Sequence, residues 1–464
     1  MRFALTQSNL VNRKTKTQNY AMRKATIWVV IFIQLIINVN TASAEIKSSE
    51  CLLPASPFQN LSLGKPLAVE RLGNRSSARI GVLPFYFSDG IVKKLSEWDK
   101  KDYENAATDV EKLSNQKVSI EIVFLPTVKA AETAAEFRDI YKNQQTGWKE
   151  LNLEKSTWGF VKRTILLADK ETDFSNIDAV ILEGGNIDKS VVIGEALQFF
   201  RGNQGNVVQN SASDFFKSVF TQEGYIDNAI LLDSHKGVSI IAHEILHNFG
   251  LTDLYGSESG PKSLSIMDSD LSSMLNYEKA VLGWFPVEDF KCTELKSVLD
   301  NSRVENALTI EDRKKDSIHL LKVSNDKAYI IEVINKGKRS SLVVYLLEQN
   351  KRPPITVFYN PKVKFDGLVD LNDVSSVGAF YTTPDFNLLV TNSTGNSVQL
   401  NLIPSNLTNS SMATQLIQKS LNNRTALVST KTSRKVSISC VKGKTVKKVT
   451  SAAPVCPKGF AKKK

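Results

Sequence analysis

The stretch HEILHNFGLTD, which starts at position 243, is the feature of this sequence that most limits how the chain can fold. It contains two of the four histidines in the chain, four residues apart, with a glutamate beside the first. On a helix, residues at this spacing lie on one face about 6 Å apart. A single Zn²⁺ can bridge two imidazoles at that distance. We therefore expect His243 and His247 to be metal ligands on a helix that starts near Val238.

The residues around the two histidines complete a catalytic rather than a structural pattern. Glu244 lies beside the first histidine, where its carboxylate can reach a water at the metal rather than the metal itself. Gly250 stands where the helix has to end in a left-handed turn, a conformation that strains any residue with a Cβ atom. The reversed chain can then bring Asp253 back as a third ligand. Three protein ligands plus one water are the arrangement of a catalytic zinc site.

An exposed polar helix face is the alternative, because H-E-x-x-H fixes only three positions and arises by chance in many chains. The longer pattern H-E-x-x-H-x-x-G-x-x-D is supplied by chance far less often, and the apolar strand NAILLD directly before the helix also favours a metal centre. Met267 is expected either in a tight turn beneath the metal or as an ordinary core methionine. Tyr255 is a candidate donor to a tetrahedral oxyanion, with packing against Phe249 as the alternative.

Other metal-ligating residue types are weaker candidates. His235 is expected in a surface loop, and His319 is expected to be an ordinary strand residue. Calcium is a second candidate cofactor, because carboxylates cluster at two places, although neither has the full spacing of a calcium loop. Solvated loops are the alternative for both. The two groups are Asp268 with Asp270, and Asp370 with Asn372 and Asp373.

Alternating strand and helix patterns over residues 45–289 predict a catalytic domain of α+β or mixed α/β type. The strands are expected at 78–90, 117–126, 177–185 and 228–233, separated by helical segments such as 98–113, TVKAAETAAEFRDIYKNQ and STWGFVKRTILLAD.

The residue pattern of the sequence changes after Pro286. Seven short β-branched runs, separated by turn residues, predict a smaller all-β, sandwich-like domain over 290–403. Residues 404–435 are rich in Asn, Ser and Thr and are expected to be a linker with at most one short helix. Residues 436–464 form a basic tail with two cysteines.

The formal net charge of +11 comes from the two ends of the chain. Residues 1–44 hold six Lys/Arg and residues 431–464 hold eleven, with no acidic residue in either; subtracting them from 59 leaves 42 basic against 48 acidic residues. The acidic body argues against nucleic acid as a partner. The basic tail is expected either to associate with an anionic cell-wall or membrane surface or to act only as a solubilising end.

The first 44 residues predict a secretory signal peptide. We therefore expect an extracellular protein, either free or associated with the cell surface. Basic residues precede a short apolar run that ends in Ala-Ser-Ala at Ala44. A retained signal anchor is the alternative; no other segment is apolar enough to span a membrane.

Secretion makes the four cysteines candidates for disulfides. Three pairings are possible. Cys440 and Cys456 are close together in the tail and are expected to pair, which leaves Cys51 with Cys292. Free thiols are the alternative.

The block HEILHNFGLTDLYG, followed by SIMDSD and NYEKAVLGWFP, resembles the secreted bacterial metallopeptidases of the immune inhibitor A type. RIGVLPFYFSDG, DVEKLSNQKVSIEIVFLP and NIDAVILEGG stand where that family has its first strands, so the resemblance covers roughly residues 51–400. It implies a metzincin-like catalytic domain with His243, His247 and Asp253 as zinc ligands and Glu244 as the base. Asp253 stands where most metzincins have His, and LSIMD stands where Trp-Asp-Leu-Met is common.

The ligand set implies a secreted zinc endopeptidase that acts on protein or peptide substrates. Zn²⁺ lowers the pKa of bound water towards about 7 and polarises the scissile carbonyl. Glu244 would accept the water proton and pass it to the leaving amine. The alternative, motivated by the β-rich region and the basic tail, is a surface-binding or adhesion protein with an inactive metallopeptidase fold.

Overall fold

The computed structural model describes most of the chain from Cys51 onwards. The segment 1–44, for which a signal peptide is expected, lies outside the described residues. Within the described part, none of the helices combines the length and the apolar character that crossing a membrane requires. The described ranges are 51–56, 61–92, 94–145, 155–184, 194–199, 201, 217–233, 237–268, 273–312, 314–336, 339–359, 369–373, 376–394, 396–432, 436–451 and 454–463.

The N-terminal half is an alternation of strands and helices around one mixed sheet. Its elements are β1 (Ser77–Tyr86), α1 (Glu97–Leu113), β2 (Ser119–Phe124), β3 (Val128–Lys129), α2 (Ala134–Gln145), α3 (Thr157–Ala168), β4 (Ala179–Gly184), β5 (Gly194–Gln198), β6 (Val219–Phe220), β7 (Tyr225–Ile226), β8 (Asn228–Asp233) and α4 (Val238–Phe249). The strand order is β2-β1-β4-β8-β5 with β3 beside β1, and only the edge strand β5 is antiparallel to its neighbour. The predicted mixed α/β arrangement is confirmed.

Helices cover both faces of this sheet, which explains why its central strands are apolar on both sides. All six residues of β4 are buried. On one face, Phe137 of α2 and Phe160 of α3 pack into a core with Leu83, Leu182 and Leu231 of the strands. On the other face, α4 contacts β5, β8 and α1.

The segment before β1 packs against the end of α4 and against the sheet. The Arg71 guanidinium is fully buried and donates to Asn228 Oδ1 and to the Phe199 carbonyl oxygen, both at 2.6 Å. The Ser62 amide donates to the Gly250 carbonyl at 3.2 Å. A Cβ atom at Gly73 would lie 2.3 Å from the Phe249 carbonyl oxygen, so the segment can approach the helix this closely only with glycine there.

Two antiparallel-rich sheets follow, and they pack across one shared apolar core. Their elements, with the helices beside them, are α5 (Asn276–Val281), β9 (Phe290–Glu294), α6 (Leu295–Val298), β10 (Ala307–Ile310), β11 (Ser317–Lys322), β12 (Lys327–Lys336), β13 (Arg339–Glu348), β14 (Ile355–Phe358), β15 (Val369–Asp370), β16 (Phe380–Thr382), β17 (Phe386–Thr394) and β18 (Ser397–Pro404). One sheet has the order β14-β13-β12-β11-β9 with β15 beside β13, and the other is β10-β18-β17-β16. Tyr329 and Val344 of the first sheet share the core with Phe386 and Leu400 of the second. All seven predicted β-branched runs are strands.

Residues 404–435 are not the mainly irregular linker that their composition suggested. They contain a 22-residue helix, α7 (Ser411–Thr432). The Ser410 hydroxyl accepts from the Ala413 amide and caps the helix start, and Ala413 and Leu416 pack against Leu389 and Ile403. Apolar residues three to four apart were enough to dock the helix, and the polar residues between them concealed this spacing in the composition. Short 3-10 helices lie at Leu72–Asn74, Lys262–Leu264, Val287–Asp289 and Ser405–Leu407.

The C-terminal tail is a small three-stranded sheet closed by a disulfide. Its strands are β19 (Val436–Lys442), β20 (Thr445–Ser451) and β21 (Ala461–Lys462), in the order β20-β19-β21. Both expected disulfides, Cys440–Cys456 and Cys51–Cys292, are present, with Cα–Cα distances of 5.6 and 5.7 Å. Disulfides of this kind indicate an extracellular or otherwise oxidising environment.

Candidate metal centre

Helix α4 carries the H-E-x-x-H residues and ends as its sequence predicts. Its apolar face is buried and contains Ile241, Ile245 and Phe249. Gly250 has φ 117° and ψ 2°, the left-handed conformation that favours glycine, and its amide donates to the His247 carbonyl at 2.9 Å. A Cβ atom there would also lie 3.0 Å from a methyl carbon of Leu67. Glycine therefore allows the chain to reverse three residues after the second histidine.

The reversal brings Asp253 against both histidines. The Asp253 Oδ1 atom lies 3.1 Å from His247 Nε2 and 3.3 Å from His243 Nε2. One possible ligand atom from each of the three residues lies within 4.8 Å of the others. Bonds of 2.0–2.2 Å to a tetrahedral Zn²⁺ imply ligand separations of about 3.3–3.5 Å. The two oxygen–nitrogen distances are close to that value, and this is the one such cluster among the described residues.

Backbone carbonyls hold the two imidazoles in one orientation. His243 Nδ1 lies 2.8 Å from the Ile266 carbonyl oxygen, and His247 Nδ1 lies 2.8 Å from the Leu251 carbonyl oxygen. Because a carbonyl oxygen only accepts hydrogen bonds, each Nδ1 has to carry the proton. In the neutral ring, Nε2 then presents a lone pair to Asp253. This is how metal-bound histidines are usually oriented.

Three electron-rich atoms that face one point favour a positive charge between them. Asp253 Oδ1 is buried and has no hydrogen-bond donor of fixed geometry. A shared proton can take that role: burial would lower the pKa of His247, but the hydrogen bond and the charge of Asp253 raise it to about 9. Burial would raise the pKa of Asp253, yet the two histidines hold it below its usual range. The donor set, two neutral imidazoles and one carboxylate, fits Zn²⁺.

Glu244 lies beside this cluster, on the side of the edge strand β5. Its side chain is buried. A Cβ atom at Gly194 would lie 2.8 Å from Glu244 Oε1, so glycine leaves room for the carboxylate at the start of β5. Burial raises the pKa of Glu244, and the two neighbouring histidines oppose that shift.

Met267 and Tyr255 are the two further residues that were expected to support the centre. Met267 is fully buried in a turn, and its carbonyl accepts from the Leu254 amide at 2.9 Å. This hydrogen bond links the turn to the loop that carries Asp253. Tyr255 does not pack on Phe249, so that expectation was wrong. Its ring stacks on His243 at a centroid distance of 6.3 Å, whereas the Phe249 ring meets Trp284. The chain reversal at the glycine places Tyr255 beside the centre, where burial and the charges of Asp253 and Glu244 raise the pKa of its hydroxyl to about 12.

The remaining candidate ligands lie elsewhere or have other partners. His235 and Asp270 lie outside the described residues. His319 is a strand residue in β11, and burial lowers its pKa to about 4. The Asp268 carboxylate accepts a hydrogen bond from the Lys262 amide. Asp370 accepts from the Asn372 amide at 3.0 Å and faces Arg339, and the Asp373 amide donates to the Asp370 carbonyl.

Several residues of the centre could not be recognised in the sequence. The carbonyls of Leu251 and Ile266 act through backbone atoms, which every residue type has. Strand β5, with the sequence GEALQ, lacks the β-branched run that marks the other strands. Ser265 and Glu278, which hold the turn around Ile266, are ordinary surface residue types that happen to be buried.

No protein-family model matches this chain, and a search of curated proteins found no match either. The centre is therefore interpreted from its own geometry.

Proposed function

We propose that the protein is a secreted zinc-dependent endopeptidase with a metzincin-like catalytic domain of the immune inhibitor A type. The observation that carries the proposal is the convergence of His243 Nε2, His247 Nε2 and Asp253 Oδ1, with both imidazoles held by backbone carbonyls. These three residues would bind Zn²⁺. A set of three protein ligands leaves a coordination position for water or substrate, which distinguishes a catalytic from a structural site.

Glu244 is the residue best suited to move protons in this reaction. A bound Zn²⁺ supplies Lewis acidity, which polarises the scissile carbonyl and makes water more acidic. The Glu244 carboxylate accepts the proton of the attacking water and returns it to the leaving amine. Burial raises the pKa of this carboxyl, which improves it as a proton acceptor near neutral pH.

The edge strand beside the centre supports a peptide as substrate. Within the part of the chain that the structure describes, β5 is the last strand in the order of its sheet, beside β8. An extended peptide can bind to such an edge through main-chain hydrogen bonds that do not depend on its sequence. Because Gly194 and Ala196 of this strand adjoin Glu244, a peptide bound there would run past the proposed base.

A Glu244→Gln variant tests the mechanism. Glutamine keeps the size of the side chain but cannot accept the water proton. We expect hydrolysis of a casein substrate to fall by about 10²–10⁴-fold while the bound zinc is retained. Glu258→Gln is the matched control, because it makes the same chemical change at an exposed position after Asp253 in the chain. It should keep full activity. Unchanged hydrolysis by Glu244→Gln would exclude this mechanism.

The same measurements separate the enzyme from an inactive binding protein. A wild-type protein that binds one zinc ion but cleaves no member of a broad protein panel would favour a surface-binding or adhesion function on a metallopeptidase fold.

The tail sheet supports association with an anionic polymer of the cell wall. Its seven lysines over 436–463 are exposed, and this range has no acidic residue. Lys447 and Lys462 pair with Cys440, whereas Lys448 pairs with Ser439 on the opposite face. Lysines on both faces suit a flexible polyanion better than a planar membrane. A truncation after Thr432 should elute from cell walls at lower salt than the full chain; equal elution would exclude this role.

A further inference from the structure

The turn that orients His243 is held by a buried hydroxyl. The carbonyl that accepts from His243 Nδ1 belongs to Ile266. On either side of that carbonyl, the Ser265 hydroxyl accepts from the Met267 amide at 3.0 Å and donates to Glu278 Oε1 at 2.8 Å. Ser265 is fully buried, so both hydrogen bonds are made without competition from solvent. One side chain therefore fixes the backbone on both sides of Ile266.

The carboxylate that receives this hydroxyl is itself fixed. Glu278 lies on α5 and is fully buried. Its second oxygen, Oε2, accepts from the Leu275 backbone amide at 2.8 Å, at the start of the same helix. The side chain thus has a defined donor for each oxygen. A carboxyl group held at both oxygens positions the serine hydroxyl more tightly than a solvated one would.

Helix α5 is in turn attached to two other parts of the chain. Glu332 of β12 accepts from the Asn276 amide at 2.9 Å and from the Tyr277 amide at 2.8 Å. The Tyr277 hydroxyl accepts from the Leu53 amide at 3.2 Å. The helix that carries Glu278 is therefore fixed by the β-rich region and by the N-terminal segment next to the Cys51–Cys292 disulfide.

We infer that Ser265 and Glu278 are positioning residues that orient His243 for metal binding through the Ile266 carbonyl. This inference rests on the proposed zinc centre and names residues outside the H-E-x-x-H motif that the centre depends on. Without the Ser265 hydroxyl, the turn can relax, the Ile266 carbonyl loses its fixed position, and the His243 ring can rotate or move its proton to Nε2. Loss of such supporting hydrogen bonds commonly weakens metal binding by about 10–100-fold.

The test measures zinc affinity in the full mature chain by competition with a chelator. Ser265→Ala should weaken Zn²⁺ binding by about 10–100-fold and shift the visible spectrum of the Co²⁺-loaded protein, because that spectrum reports ligand geometry. Glu278→Gln keeps the side-chain volume but places an amide opposite the hydroxyl; it should weaken binding to a smaller extent. It provides the same test if Ser265→Ala does not fold.

Ser114→Ala is the matched control. Ser114 is also fully buried, and its hydroxyl also donates one hydrogen bond and accepts from backbone amides. Its acceptor is the Glu111 backbone carbonyl rather than a carboxyl group, and it lies at the end of α1. It should lower the unfolding temperature without changing zinc affinity by more than about twofold. Equal zinc affinity in wild type and Ser265→Ala, or equal weakening by Ser114→Ala, would overturn the inference. A wild-type chain that binds no zinc would instead refute the proposed centre itself.

Discussion

His247 is held from both sides of its ring: Nδ1 lies 2.8 Å from the carbonyl oxygen of Leu251, and Nε2 lies 3.1 Å from Asp253 Oδ1. The carbonyl and the carboxylate are only two residues apart, and both follow directly from the turn at Gly250. A single left-handed residue therefore sets the tautomer of one ligand and the position of another.

Gly250→Ala should damage both the fold and the metal centre. Alanine at φ 117° is strained by about 1–2 kcal/mol, and its Cβ would press on Leu67. We expect the free energy of unfolding to fall by at least that amount, and zinc affinity to fall as well, because the Leu251 carbonyl and Asp253 shift. Gly256→Ala is the control: it also has a positive φ, of 94°, but nothing lies within 4 Å of its Cβ. Equal zinc affinities in the two variants would contradict this account of the turn.

Tyr255→Phe separates two roles for the exposed tyrosine. The variant loses the hydroxyl, whose pKa is raised by burial and by the charge of Asp253, but keeps the ring stacked on His243. If the hydroxyl serves to orient the aspartate, zinc affinity should fall by about tenfold. The measurement is chelator competition together with steady-state kinetics. Unchanged zinc affinity with reduced kcat would assign the hydroxyl to the oxyanion instead.

His319 should make the protein less stable in mild acid. Burial, reinforced by the charge of Lys291, lowers its pKa to about 4 in the folded chain, against about 6.5 when unfolded. Between these values the unfolded chain binds a proton that the folded chain does not, so stability falls as pH decreases from 6.5 to 4. The contribution amounts to about 3 kcal/mol.

Denaturant unfolding of wild type and His319→Gln between pH 7 and pH 4 checks this expectation. The wild type should lose about 3 kcal/mol more than the variant over that range, because glutamine does not titrate. Acid effects on the metal centre are common to both proteins and cancel in the difference. Two parallel stability curves would show that His319 is not buried in its neutral form.

Local patterns were sufficient to predict most of the secondary structure. The strands around β1, β4 and β8 are continuous apolar runs because helices cover both faces of the sheet, and α4 has the apolar spacing of a helix that ends at Gly250. Strand β5 was missed because an edge strand with few β-branched residues has no such pattern. Helix α7 was underestimated because its docking depends on a few apolar residues in a polar stretch.

In the proposed metal centre, the motif residues could be predicted from the sequence, whereas the groups that hold them in place could not. The convergence of His243, His247 and Asp253 could be predicted from their residue types and spacing. The carbonyls of Leu251 and Ile266 act through the backbone, and the Ser265–Glu278 pair is assembled only by tertiary packing. Which ring Tyr255 contacts depends on tertiary packing after the turn, and side-chain spacing does not encode it.

Metal analysis of the purified mature protein is the most direct test of the proposed centre. We expect about one zinc ion per chain in the wild type, and loss of that ion in Asp253→Ala and in His247→Ala, each of which removes one of the three ligands. A wild-type protein without stoichiometric metal, or an Asp253→Ala variant that retains its zinc at full affinity, would contradict the account.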